Sequence, residues 1–332
     1  MFTLRRFPVV TLASAALSSL VLGLVACSTE EPDPMADVPA FPVDAPVVTV
    51  LEQGENPQLL EYTYASFESP EANWHTTLEV AGGIDQAVAA EGENVDPEAP
   101  AGGDVMTTTL PVTITFPAGP APEEAADSTR SVRITAGAGK HSDLALGQEV
   151  AANEGFMLSW WGDDTGAIDA VKLLPPEESP EAGRQVVEQA LLSVMSANVV
   201  FPAEPIGVGG SWSVEARTTG DTSMIRTTTY TVRDITDGPD TAVSLDVKVD
   251  ERPAQQPLRI DNQVAGALDG QTLQVENTST TSDGELTVEL NYPLPTSGNV
   301  ASTTRLTYSG GEGSSFRIVQ DVTSGVTFKK EG

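Results

Sequence analysis

Thr241–Glu251 reads TAVSLDVKVDE, and its alternation decides the fold class. Val243, Leu245, Val247 and Val249 fall on one face of an extended chain; Ser244, Asp246, Lys248 and Asp250 fall on the other. Successive side chains of a strand point to opposite sides, so the pattern gives one dry face and one wet face. Antiparallel sheets have that character, because one face packs on a core while the other stays in water. The motif recurs outward in both directions. ELTVELNY sets Leu286, Val288, Leu290 and Tyr292 against Glu285, Thr287, Glu289 and Asn291, and TLPVTITF gathers Leu110, Val112, Ile114 and Phe116 on one side.

Further strands are expected in LLEYTYA, NWHTTLEV, SVRITA, FMLSWW, AIDAVKLL and SWSVEA, and in TTTYTVRDI, QTLQVENT, TTRLTYS and SFRIVQDVTSGVTF. Turn clusters such as DDTG at Asp163–Gly166 and DGPD at Asp237–Asp240 separate them. One segment changes period. In SPEAGRQVVEQALLSVMSAN, Val187, Ala190, Leu191, Val194 and Asn198 recur at helical spacing, widened by Val186 and Met195. Ser179 suits the N-cap, Pro180 the first turn, and Glu181 the positive end of the helix dipole. A helix is expected near 180–198, long enough to cross a sheet. The fold class is therefore mainly β (α+β): a large curved antiparallel sheet or half-barrel with one long amphipathic helix on its concave face. GGIDQAVAAEGENVDPEAPAGGD and PAGPAPEEAADSTR, rich in Gly, Ala, Pro and acids, read as mobile loops at sheet ends.

The chain has 332 residues and one cysteine, Cys27, at the end of LVLGLVAC. Arg5 and Arg6 precede an apolar run from about Val9 to Leu24, the plan of a secretory signal whose core is too short to span a membrane comfortably. Residues 28–45, STEEPDPMADVPAFPVDA, carry acids and prolines but no basic residue, and read as a tether. The division is 1–26 signal peptide, 27–45 acylated disordered tether, and 46–332 antiparallel β domain. A formal net charge of −31 disfavours nucleic acid and other polyanions.

Catalytic signatures are sparse. His75 and His141 are the two histidines, the first in an expected strand and the second in the loop GAGKHSD, neither beside a nucleophile motif. GVGGSW at Gly207–Trp212 puts Trp212 where a dinucleotide fingerprint needs glycine, and reads as a turn followed by a buried Trp plug. Asp163, Asp164 and Asp169 depart from calcium-loop spacing and fit a hairpin turn. Trp160 and Trp161 point to opposite faces, one into the core and the other exposed or under a loop. No catalytic residue, cofactor or metal site is assigned.

Leu24-Val25-Ala26-Cys27 resembles the lipobox of bacterial lipoproteins. That resemblance implies diacylglycerol on the Cys27 thiol, cleavage just before it, and a protein held on the extracytoplasmic face of the cell membrane. The block from Trp161 to Val214, a hairpin turn, a strand ending in LLPP, the helix and FPAEPIGVGGSWSV, resembles an uncharacterised family of secreted lipoproteins from high-GC Gram-positive bacteria. More remotely it is similar to the lipoprotein-carrier fold of the LolA and LppX/LprG type. The resemblance implies a non-enzymatic protein sheltering a lipid or other apolar ligand between sheet and helix. Phe116, Val187, Leu191 and Val194 are then the candidate ligand-facing residues. The alternative is a scaffold or interaction lipoprotein of the cell envelope with a filled core and no ligand.

Overall fold

The computed structural model describes residues 33–64, 73–90, 92–117, 120–218, 224–236, 238, 241–254, 258–259, 272–309 and 316–330. The signal peptide, Cys27, residues 28–32 of the tether, and all of the DGPD turn but Gly238 lie outside them; residues 33–45 of the tether are described, and Phe41–Pro42 there form a strand. The chain divides into two units, Met1–Ala36 and Asp37–Gly332. In the first, the N–H groups of Met35 and Ala36 bond back to Asp33.

The second unit is mainly β. Its strands are β1 (Phe41–Pro42), β2 (Val47–Glu52), β3 (Glu55–Gln58), β4 (Trp74–Ala90), β5 (Met106–Thr115), β6 (Arg130–Ala136), β7 (Lys140–His141), β8 (Met157–Gly162) and β9 (Ile168–Leu174). They continue as β10 (Ile206–Val208), β11 (Ser211–Thr218), β12 (Met224–Thr236), β13 (Ala242–Pro253), β14 (Leu258–Arg259), β15 (Thr272–Glu289), β16 (Ser297–Ser309) and β17 (Phe316–Lys330). Among the described residues, two α-helices, α1 (Leu144–Ala151) and α2 (Glu181–Ser196), complete it with a 3-10 turn at Glu123–Ala125. Fifteen strands form one open antiparallel sheet along the path β1-β9-β8-β6-β5-β4-β17-β16-β15-β13-β12-β11-β2, with β14 beside β15 and β7 beside β5. β3 and β10 pair separately.

The dry faces read from the sequence meet across the ladder. Leu245 lies opposite Val232 on one side and Leu286 on the other, and Val243 lies opposite Val288. These residues belong to one large apolar cluster that also takes in Val187, Ala190, Leu191 and Val194 of α2. Trp212 plugs it as expected: it is fully buried, its indole N–H donates to the Val200 carbonyl at 2.8 Å, and its ring stacks on Tyr230. The helix cap differs from expectation by one residue. Pro180 is the N-cap, because the Ser179 hydroxyl is taken by the Pro176 carbonyl at 2.9 Å.

Other expectations are corrected. Of LLEYTYA, residues 59–64 are described and join no ladder. Tyr62 N–H bonds Asp164 O and Thr63 N–H bonds Leu290 O, so its backbone is satisfied irregularly. The first half of the long expected loop, Gly82–Ala90, continues β4 and pairs with β17 throughout. The second half is a strap. Thr281 Oγ1 donates to Ala99 O, Asn277 Nδ2 to Pro97 O, and Arg305 Nη1 to the carbonyls of Asp96 and Glu98. Gly83 lies so close to Asp104 that a Cβ there would collide with its carbonyl. The second expected loop contains the 3-10 turn, whose Ala125 packs with Trp161 and Ala170. Trp161 therefore lies under a loop, while Trp160 enters the main core. Finally, α1 joins α2 where one helix was expected, and His141 belongs to β7 instead of a loop. α1 is short and interrupted by Gly147, so its period was weak.

Candidate functional site

α2 presents two stripes. Val187, Leu191 and Val194 enter the core, Ala190 touches both the core and a cleft, and a neighbouring stripe of Val186, Gln189, Leu192, Ser193 and Ser196 lines that cleft, with Val186 and Leu192 also resting against the core edge. That second set also recurs at three- and four-residue intervals, so it forms a coherent helix face. The opposite wall is one face of the sheet. Every second residue contributes: Met224, Arg226, Thr228 and Tyr230 from β12; Val247, Val249 and Glu251 from β13; Val300, Ser302, Thr304 and Leu306 from β16. On β4 and β17 the alternation gives way, and the consecutive runs Val80–Ile84 and Val322–Val326 extend the wall. The volume is about 910 Å³.

The cleft is amphipathic. Its apolar part is built from valines on β13, β16 and β17 facing Val186 and Leu192. Its polar part is a compact network on the floor. Arg226 Nε donates to Glu251 Oε1 at 2.7 Å, and the two side chains are 20% and 10% exposed. Thr304 Oγ1 donates to Glu251 Oε2 at 2.8 Å and stands 3.1 Å from Thr280 Oγ1, which accepts the Glu251 N–H. Arg226 Nη2 reaches Ser324 Oγ at 3.4 Å, and Ser324 Oγ lies 3.3 Å from Ser302 Oγ. A buried ion pair costs about as much to desolvate as it returns, so its presence is weak evidence for a stabilising role. Burial pushes the Tyr230 hydroxyl well above its ordinary range, so it lines the cleft as a neutral group.

The expected ligand-facing residues sit elsewhere. Phe116, Val187, Leu191 and Val194 are all buried in the main cluster, and none of them lines the cleft. Phe116 stacks on Tyr64 and meets Trp74 edge-on. The cleft residues are the immediate neighbours of the expected ones along α2. Sequence alone gives one signal toward Glu251 and Arg226: Glu251 follows Val249 by two residues and is in phase with the dry face of TAVSLDVKVDE. A charge continuing an apolar alternation marks a buried polar group that needs partners.

Of the histidines, His141 lines the cleft, its Nδ1 accepting the Asp143 N–H at 3.1 Å, whereas His75 is exposed with Nδ1 3.1 Å from Thr113 Oγ1. Asp163 Oδ1 accepts from Thr165 N, Thr165 Oγ1 and Ala167 N, closing the DDTG turn. Asp164 pairs with Arg130 at 2.8 Å, and Asp169 accepts from Ser128 Oγ at 2.6 Å. Among the described residues, no three His, Cys, Asp or Glu side chains gather as a metal site.

No family model matches the chain, and no curated protein matches it. Among solved structures, the botulinum neurotoxin serotype C1 binding domain aligns over 89% of this chain and 90% of its own, at 8% identity and a TM-score of 0.14. That likeness is too low to indicate a shared fold. Among the described residues, no helix is long and apolar enough to cross a membrane.

Proposed function

We propose that this chain is a membrane-anchored extracytoplasmic lipoprotein, non-enzymatic, that holds an apolar or amphipathic ligand in the cleft beside α2. The observation that carries the reading is the cleft itself. At about 910 Å³ it falls within the range of small-molecule sites, roughly 300–1,000 Å³, and it combines apolar walls with a few convergent polar groups. The anchor rests on the lipobox resemblance at Cys27. The non-enzymatic part rests on the polar floor, where Arg226, Glu251 and hydroxyl groups satisfy one another instead of activating a nucleophile.

A half-barrel with α2 on its concave side belongs to the same proposal, and chain connectivity supports it. β1 and β2 lie at opposite ends of the sheet path, yet only residues 43–46 join them. Five residue steps span at most about 18 Å. The 13 strands of that path, laid flat at about 4.8 Å spacing, would hold β1 and β2 about 58 Å apart. Strong curvature reconciles the two lengths. It also accounts for Thr108 of β5 and Thr218 of β11 lining one cleft.

The scaffold reading keeps one specific support, the fully packed environment of Phe116, Val187, Leu191 and Val194. Mass spectrometry of organic extracts from the full-length Cys27→Ala chain separates the two. The ligand reading expects one class of amphiphile in near-stoichiometric amount, lost when Ser193→Trp fills the cleft without disturbing the core. Absence of any retained amphiphile, with a saturable fluorescent fatty-acid probe also failing to bind, favours the scaffold.

A further inference from the structure

The floor of the cleft has a charge balance that discriminates between ligand head groups. Its titratable lining residues are His141, Arg226, Glu251 and Tyr230, the last kept neutral by burial. Arg226 and Glu251 are bound to each other, and both are largely shielded from water. The guanidinium is thus neutralised at 2.7 Å by a carboxylate that is itself held by Thr304. The rest of the polar lining is hydroxyl and carboxamide: Thr228, Ser302, Ser324 and Gln320 on the sheet, Gln185 and Gln189 on α2. Such a surface offers hydrogen-bond donors and acceptors without net charge. The named bonds use two of the five guanidinium N–H donors of Arg226.

We infer that the Arg226–Glu251–Thr304 cluster is a head-group subsite selective for an uncharged, hydroxyl- or ester-bearing amphiphile, and that it discriminates against ionised carboxylates. This rests on the ligand reading of the cleft. An anionic head entering beside Arg226 meets Glu251 at the same place and gains little from the cation. It also loses its hydration, which hydroxyl groups replace poorly for a full charge. A glycerol ester loses less on entry, because its hydroxyl and carbonyl oxygens exchange water for Arg226 donors and the Ser and Thr hydroxyls. Specificity then comes from the unfavourable carboxylate at Glu251 as much as from the attractive contacts.

The experiment compares 1-monooleoylglycerol with oleate, which share one tail, on the full-length Cys27→Ala chain at a pH where oleate is ionised. Monooleoylglycerol should bind at least about tenfold more tightly. Glu251→Gln removes the negative charge, leaves Arg226 cationic and should invert the order. Ser302→Ala, which removes one hydroxyl bonded to Ser324, should weaken monooleoylglycerol several-fold and leave oleate unchanged. Equal affinity of the two probes for the Cys27→Ala chain overturns the subsite while leaving the ligand reading intact. Failure of both to bind overturns the ligand reading itself. Should Glu251→Gln not fold, the probe comparison and Ser302→Ala still decide the matter.

Discussion

Leu191 and Leu192 are adjacent on α2 and chemically identical, yet the structure gives them opposite work. Leu191 is 0% exposed inside the main cluster, whereas Leu192 is half-buried and lines the cleft. Truncating Leu191 to Ala removes three buried carbons and leaves a void that a close-packed core only partly closes, at a cost of about 2–5 kcal/mol. Truncating Leu192 removes atoms that already border open space, so the void term is small and the loss is about 1 kcal/mol. Urea denaturation followed by tryptophan fluorescence should therefore place Leu191→Ala about 1–4 kcal/mol below Leu192→Ala at unchanged m-value. Probe binding should move the other way: Leu192→Ala weakens it several-fold, and Leu191→Ala, measured well below its melting temperature, does not. Equal destabilisation, or the larger loss at Leu192, would refute the division of α2 into a core stripe and a cleft stripe.

The five tyrosines are Tyr62, Tyr64, Tyr230, Tyr292 and Tyr308, and burial is the leading cause raising every one of their pKa values, Tyr292 and Tyr308 to about 12. The folded state therefore retains protons that the unfolded state releases near pH 10, so stability should fall as pH rises from about 10 to about 12. Native protein at pH 10.5 should show little tyrosinate absorbance, which should appear together with unfolding; early titration of all five would contradict their burial. Arg305→Ala should cost on the order of 3 kcal/mol, because it strands Asp321, 14% exposed and bound at 2.6 Å, and releases the carbonyls of Asp96 and Glu98. Hydrogen exchange should then quicken across residues 95–104, and an unchanged rate there would mean Arg305 does not hold the strap. Cys27→Ala should abolish metabolic labelling by a fatty-acid analogue, and equal labelling of both forms would end the lipobox reading.

The parts of the fold legible in the sequence were those where one face is dry and the other wet. β5, β13 and the second half of β15 show it, as do the helical period of α2 and the Trp212 plug. The far half of β4 resembles a loop in sequence because Gly82–Ala90 is mostly exposed on both faces, Ile84 and Val88 to 67% each, so no hydrophobic period distinguishes its sides. Its strand state comes from the ladder with β17, a partner more than two hundred residues away. The strap was missed for the same reason: side chains of β15 and β16 hold its backbone, and its own composition says only that it lacks a core. The cleft is lined by the α2 stripe next to Val187, Leu191 and Val194. Buried and cleft-facing apolar residues look alike in sequence, and the polar floor depends on Arg226, Glu251, Thr304 and Ser324 meeting from four different strands.

The pairing of β4 with β17 has a consequence in time. β17 is the seam between the β1-to-β4 side of the sheet and the β16-to-β2 side, in register from Thr76 opposite Lys330 to Ala90 opposite Phe316. Chain is made from its N-terminus, so the 15-residue edge of β4 from Thr76 to Ala90 waits unpaired until β17 has been made. Contacts of such sequence separation are slow to form, and an unpaired edge recruits other chains. A holding chaperone that covers this edge of β4 until β17 is made would therefore raise the yield of folded chain more than one acting on any later strand.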